Sequence, residues 1–161
     1  MERNCHSSGG VVPGDAGVAQ TVVNAGINVT AKVNAKARLT LGTAALTFAD
    51  ADPDTDPTIA APLFTVDVKA RTTAGSAVTL TVLADDDLLS GTDVITIDNL
   101  TWAAGGGGFA AGTSNKTTAQ TVGSWNGSGN RAGSQTYSLV NSWAYATGVY
   151  TAVLTYTLTV P

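Results

Sequence analysis

Glutamate occurs once in these 161 residues, at Glu2, and cysteine and histidine occur once each, as the adjacent Cys5 and His6. A single cysteine excludes an internal disulfide. Beyond His6 the chain has no imidazole, thiol or glutamate, which leaves acid–base work to Asp, Lys, Tyr and Ser. Nothing in that set tunes an acid against a base, and the chain reads as a protein without enzymatic activity. Paired carboxylates hydrolyse glycosides, but the aspartates here stand in turn-like, solvated sequence, without the apolar surroundings that make a carboxyl a general acid. Cys5 and His6, as neighbours in a Gly/Ser-rich stretch, make poor catalytic geometry. They also supply only two of a zinc site's four ligands. A tether between chains or a covalent modification remains as a use for Cys5.

Charge is also scarce. Charged residues make up 12% of the chain, the net charge is -4 and the pI is near 4.6. Nucleic-acid binding needs clustered Lys and Arg against phosphate, so that class is excluded as a partner. No apolar run approaches the roughly 20 residues of a membrane helix, and "MERNCHSSGG" lacks the apolar h-region of a signal peptide. The hydrophobic fraction of 43% excludes a disordered chain.

Thr, Val, Ala and Gly dominate what is there. Apolar residues do not recur at helical spacing, whereas period-two alternation recurs throughout. Residues 1–17, with Gly9, Gly10, Pro13 and Gly14, read as a flexible leader. Strands are expected along the alternating run to Leu41 and, after an interruption at Gly42, over 44–48, then over 63–73, 77–84 and 94–104, on both sides of a Gly/Asn turn at 126–133, and over 149–160. The 63–73 and 77–84 pair is expected to form a hairpin about the "AGS" connector. The spacing predicts an all-β, antiparallel, immunoglobulin-like sandwich over 34–161.

"GINVTAKVNAKARLTLG" (26–42) breaks the scale of such a fold. Ile27, Val29, Ala31, Val33, Ala35, Ala37, Leu39 and Leu41 share one face, and the alternation reaches back to Val23. Sandwich strands usually run about 3–10 residues, so one body does not bury all of this. A wet apolar edge is something proteins normally blunt. The economical reading gives the first half of the run to a neighbouring molecule and the second half to its own body.

Four further patterns raise candidate sites. Asp50, Asp52, Asp54 and Asp56 alternate in a way that can gather hard oxygens around Ca²⁺, with Asp85–Asp87 and Asp93 as further donors. Against this, the expected Gly and closing Glu are missing, and Pro53 and Pro57 suit a stiff turn with solvated carboxylates. The "GGGG" run at 105–108 lacks the Lys-Ser/Thr and the helix of a phosphate cradle. Trp102, Trp125 and Trp143 suit either a sugar-stacking platform or packing in a sandwich. Asn28, Asn99, Asn115 and Asn126 head N-glycosylation sequons.

"KARLTLGTAALTFADADP", "FTVDVKARTTAGSAVTLTV" and "GVYTAVLTYTLTV" together resemble the spore-coat-U-like pilins, which include the archaic chaperone–usher pilus subunits. The resemblance spans roughly residues 33–161. The family commonly carries cysteines in its first strand and near the start of its second hairpin, where this chain has Ala37 and Ala70. What the resemblance implies is an extracellular, cell-surface filament built by donor-strand complementation. Copies of the chain would be its partners, with a secretion chaperone. Residues 18–33 would form the donor strand, with Val23, Ala25, Ile27 and Val29 filling a neighbour's groove and Ala31 and Val33 continuing it. The competing expectation is a monomeric adhesion or carbohydrate-binding module, with residues 18–30 folded back as an ordinary strand. No cofactor is implied beyond the candidate Ca²⁺.

Overall fold

The computed structural model describes residues 23–161; the expected leader, Cys5, His6 and residues 18–22 lie outside the described residues. The chain divides into two units, Met1–Lys32 and Val33–Pro161. In the first, residues 23–32 adopt no strand and all their side chains are exposed. In the second, strand structure begins only at Lys36. The long alternating run is therefore not one strand. Alternation supplies a face, but a strand also needs a ladder, and residues 23–35 have none among the described residues.

The second unit holds β1 (Lys36–Leu41), β2 (Thr58–Ala60), β3 (Phe64–Arg71), β4 (Ala77–Ala84), β5 (Leu88–Ser90) and β6 (Asp93–Ile95). A 3₁₀ turn (Ile97–Asn99) leads to β7 (Leu100–Gly105), β8 (Gly112–Thr113), β9 (Gln120–Asn126), β10 (Gly129–Val140) and β11 (Leu154–Thr159). One sheet runs β1-β3-β10-β7-β8, with β2 also paired to β10; a second runs β11-β4-β9; β5 and β6 form a small hairpin. All pairings are antiparallel, and no α-helix occurs among the described residues. The protein is an all-β sandwich.

Two expected elements are rearranged. β3 and β4 do not pair with each other: β3 lies between β1 and β10, and β4 between β11 and β9. The connector around Gly75, at φ 78°, carries the chain from one sheet to the other, and alternation alone does not distinguish such a crossing from a hairpin. The single strand expected over 94–104 is cut at Ile97, whose N–H is held by Asp87 Oδ1 at 2.9 Å. Asn99 closes the 3₁₀ turn by donating from Nδ2 to the Thr96 carbonyl and hydroxyl.

The core lies between the two sheets. Val66 and Val68 of β3 and Leu80 and Val82 of β4 are fully buried, as their alternation requires. Tyr137 of β10 stacks on Phe64, with centroids 6.2 Å apart, and meets Trp102 at 5.8 Å. Trp102 and Trp125 are core residues; their indole N–H groups donate to the Ala110 and Gly107 carbonyls, each at 2.8 Å. The "GGGG" run is thus a support for Trp125. Gly108, at φ +82°, lies so close beneath the indole that a Cβ there would fall 2.2 Å from its nitrogen.

Candidate functional site: the open side of the sandwich

The two long sides of the sandwich differ. On the β8/β9 side the loop after β7 is stitched to β9: Ala110 N–H donates to the Val122 carbonyl at 2.8 Å and Ser124 N–H to the Gly108 carbonyl at 3.0 Å. On the opposite side, the edges β1 and β11 belong to different sheets and do not pair. Each is hydrogen-bonded on one flank only, β1 to β3 and β11 to β4.

Side-chain burial follows the same asymmetry. The inward residues of β3 and β4 are buried, whereas Leu154, Tyr156 and Leu158 of β11 and Leu39 and Leu41 of β1 remain half-buried. Leu46, Phe48, Tyr150 and Ala152 border the same opening and are likewise only partly covered. Between the end of β1 and the start of β11 lies a largely apolar cleft of about 350 Å³, floored by Phe64, Leu88 and Leu100 and walled by Leu41, Leu46, Phe48 and residues 150–154, with Thr43 and Thr151 also in its lining. The inward residues Leu39, Leu41, Leu154, Tyr156 and Leu158 are all apolar or aromatic, as in a core strand, yet none is covered like one.

At the back of this side a polar chain is tuned by burial. Tyr156 Oη donates to Gln135 Oε1, so Tyr137 Oη, 2.8 Å away, donates to Tyr156. Burial, followed by the neighbouring Tyr156, raises the Tyr137 pKa strongly. Burial pushes Tyr156 up to about 12, against a smaller lowering from the Tyr137 hydrogen bond. A folded value above the unfolded value of about 10 means that the native state binds more protons between those limits. Stability is therefore complete below about pH 10 and falls as pH rises through 12. Denaturant midpoints measured from pH 9 to 12 should decline, and Tyr156→Phe should make the decline shallower. An unchanged slope would remove Tyr156 from the account.

The aspartate loop is a turn. Asp52 Oδ1 accepts the Asp54 N–H at 2.9 Å, and the Asp52 carbonyl accepts the N–H groups of Thr55 and Asp56. Asn141 Nδ2 bonds the Ala51 and Asp56 carbonyls, each at 3.0 Å, and the exposed Trp143 donates to Asp54 Oδ1 at 3.1 Å. Among the described residues no three Asp, Glu, His or Cys side chains converge as a metal site would need. Asp86 and Asp87 instead meet Lys116, whose ammonium lies 2.6 Å from Asp87 and 3.1 Å from Asp86, while Asp85 Oδ1 accepts the N–H groups of Asp86 and Val153. That ammonium is the main cause lowering the Asp87 pKa; the Asp87 N–H is the main one for Asp86.

Among the other sequence candidates, Val23, Ile27 and Val29 are 85%, 90% and 88% exposed, and Ala25, Ala31 and Val33 are exposed too. Asn28 and Asn126 are exposed, whereas Asn99 and Asn115 are half-buried. The Asn99 amide is engaged as above, and Asn115 Oδ1 caps the N–H groups of Thr117 and Thr118. Ala37 and Ala70 prove to be direct cross-strand partners in the β1–β3 ladder. No sequence signal marked the cleft itself, because its lining residues carry the same alternation as the buried core. No protein-family model matches the chain, and no curated protein is significantly similar to it. Among the described residues, no helix is long and apolar enough to cross a membrane.

Proposed function

We propose that this chain is the structural subunit of an extracellular pilus or thread-like filament, in which copies join head to tail by donor-strand complementation. The observation that carries the reading is the open side: two unpaired edges, β1 and β11, with half-covered inward residues and a largely apolar cleft between the end of one and the start of the other. Strand addition satisfies such edges through main-chain hydrogen bonds and fills the pockets with alternate side chains. Residues 23–33 supply that chemistry, with an exposed apolar residue at every second position. The opposition of Ala37 and Ala70, where the resembled pilins carry cysteines, adds support from register.

The energetics favour joining. Each Val- or Ile-sized side chain contributes about 1.5–3 kcal/mol on burial, against roughly 1–2 kcal/mol per residue for ordering the backbone. New ladder hydrogen bonds and the loss of two free edges add to the gain. A strand set between β1 and β11 needs two ladder spacings, about 10 Å. Cα atoms of these edges come within 8 Å of each other, so docking parts them as it fills the cleft. Because donor and acceptor surfaces differ, the contact is heterologous and yields an open polymer.

Negative-stain microscopy of the purified full-length protein should show filaments, and removal of residues 1–33 should leave folded monomers. Monomers from the intact chain, or filaments from the shortened one, would overturn the reading.

A further inference from the structure

We infer that successive copies are also matched by charge, the basic end at which the arm leaves one copy docking on the acidic end of the next. This rests on the donor-strand reading and deepens it. The topology gives the sandwich two ends. The start of β1, the end of β3 and the start of β10 meet at one of them, where Lys36 stands opposite Arg71 and Arg38 opposite Lys69 on the outward face. Arg131 lies at the same end, with its guanidinium on the Asn126 and Asn130 carbonyls. Like charges directly opposite in a ladder are destabilising. Among the described residues none of these cations has an ion-pair partner, the only ion pairs being those of Lys116.

At the other end lie all the described aspartates except Asp67, which stands on the outer face of β3 opposite Thr40 and Ala132. The 50–56 loop is tied to Asn141 just beyond β10. Asp85–Asp87 follow β4, Asp93 begins β6, and Asp98 lies in the 3₁₀ turn before β7. Lys116 offsets part of this charge. The modest net charge of -4 thus conceals strong polarity along the strands. Two ends of opposite net sign fit a second copy in the same orientation. A closed, reciprocal exchange with arm-bearing ends face to face would set basic surface against basic surface, so the same polarity favours the open polymer over the closed dimer.

Charge steering of this kind changes association rates by about 10–1,000-fold and weakens with salt, because the screening length shrinks from about 30 Å at 0.01 M to about 8 Å at 0.15 M. Filament elongation by the full-length protein, followed by light scattering, should slow about tenfold or more between 0.01 and 0.5 M NaCl. R38E/K69E should slow it similarly at low salt, and D50K/D93K, at aspartates whose side chains hold no hydrogen bond among the described residues, should also slow it. The decisive result is a sign reversal: D50K/D93K should accelerate elongation when added to R38E/K69E, although it retards the unmodified chain. Merely structural damage would not reverse sign, and thermal unfolding of each variant checks the fold. If R38E/K69E elongates normally, or is not rescued, the charge match is overturned. The same holds if R38E/K69E loses binding to heparin while elongating normally, since the basic face would then serve a polyanion. Elongation indifferent to all four charges but abolished by removing residues 1–33 would leave strand donation standing. Filaments that persist without residues 1–33 would overturn strand donation itself.

Discussion

Ile27→Asp should leave the sandwich fully folded while abolishing filament growth. Ile27 is exposed, so the change removes no packing from the free chain. In the joined state it removes roughly 2–3 kcal/mol of apolar burial. It also forces an unpaired carboxylate into an apolar cleft, which costs several kcal/mol more. A combined loss above about 4 kcal/mol weakens association by roughly a thousandfold or more. Thr30→Asp supplies the control. Thr30 belongs to the opposite face of the alternating arm, which in a paired strand points away from the cleft, so its loss should stay within about tenfold. Sedimentation velocity across a concentration series reads both. Equal effects at the two positions would show that the arm does not engage as an alternating strand, and Ile27→Asp filaments of normal length would exclude it from the contact.

The period-two face of residues 26–42 was legible in the sequence as excess apolar surface, but its division was not. Lys36–Leu41 becomes β1 because β3 supplies a ladder in register from Lys36–Arg71 to Leu41–Val66; residues 23–32 carry the same pattern and adopt no strand. The β3 and β4 alternations were likewise plain, yet their separation into two sheets was not. Sheet membership depends on which distant edges win, and β10, some sixty residues on, is what claims β3. Local chemistry of another kind broke the 94–104 run, since Asp87 reaches Ile97 from ten residues away. The aspartate loop was readable as a stiff turn from Pro53 and Pro57. Its anchoring by Asn141 and Trp143 was not, because those partners arrive from beyond β10. The open side escaped for a related reason: Leu154, Tyr156 and Leu158 differ from Val78, Leu80 and Val82 in what covers them, not in pattern.

An Ala37→Cys/Ala70→Cys pair should close a disulfide spontaneously and stabilise the body by roughly 3–4 kcal/mol, the entropy of tying a loop of about 34 residues in the unfolded chain. The register decides this. Gly42 N–H donates to the Thr65 carbonyl at 2.8 Å, which makes 42 and 65 a hydrogen-bonded pair. Counting five steps along the antiparallel ladder makes 37 and 70 a non-hydrogen-bonded pair. Such pairs place Cα atoms about 4.5 Å apart with side chains close, inside the 4.4–6.8 Å range that disulfides occupy. For a body of this size the gain corresponds to a rise in Tm of roughly 10 °C, reversed by reductant, and a Cys5→Ser background removes the competing thiol. The bond ties β1 to β3 and leaves the free flank of β1 untouched, so filament growth should continue in the oxidised protein. Failure to oxidise would place β1 in another register. Oxidation that raises Tm but stops growth would show that β1 must shift against β3 when the arm docks, which would locate the opening of the cleft in the β1 ladder and not at β11.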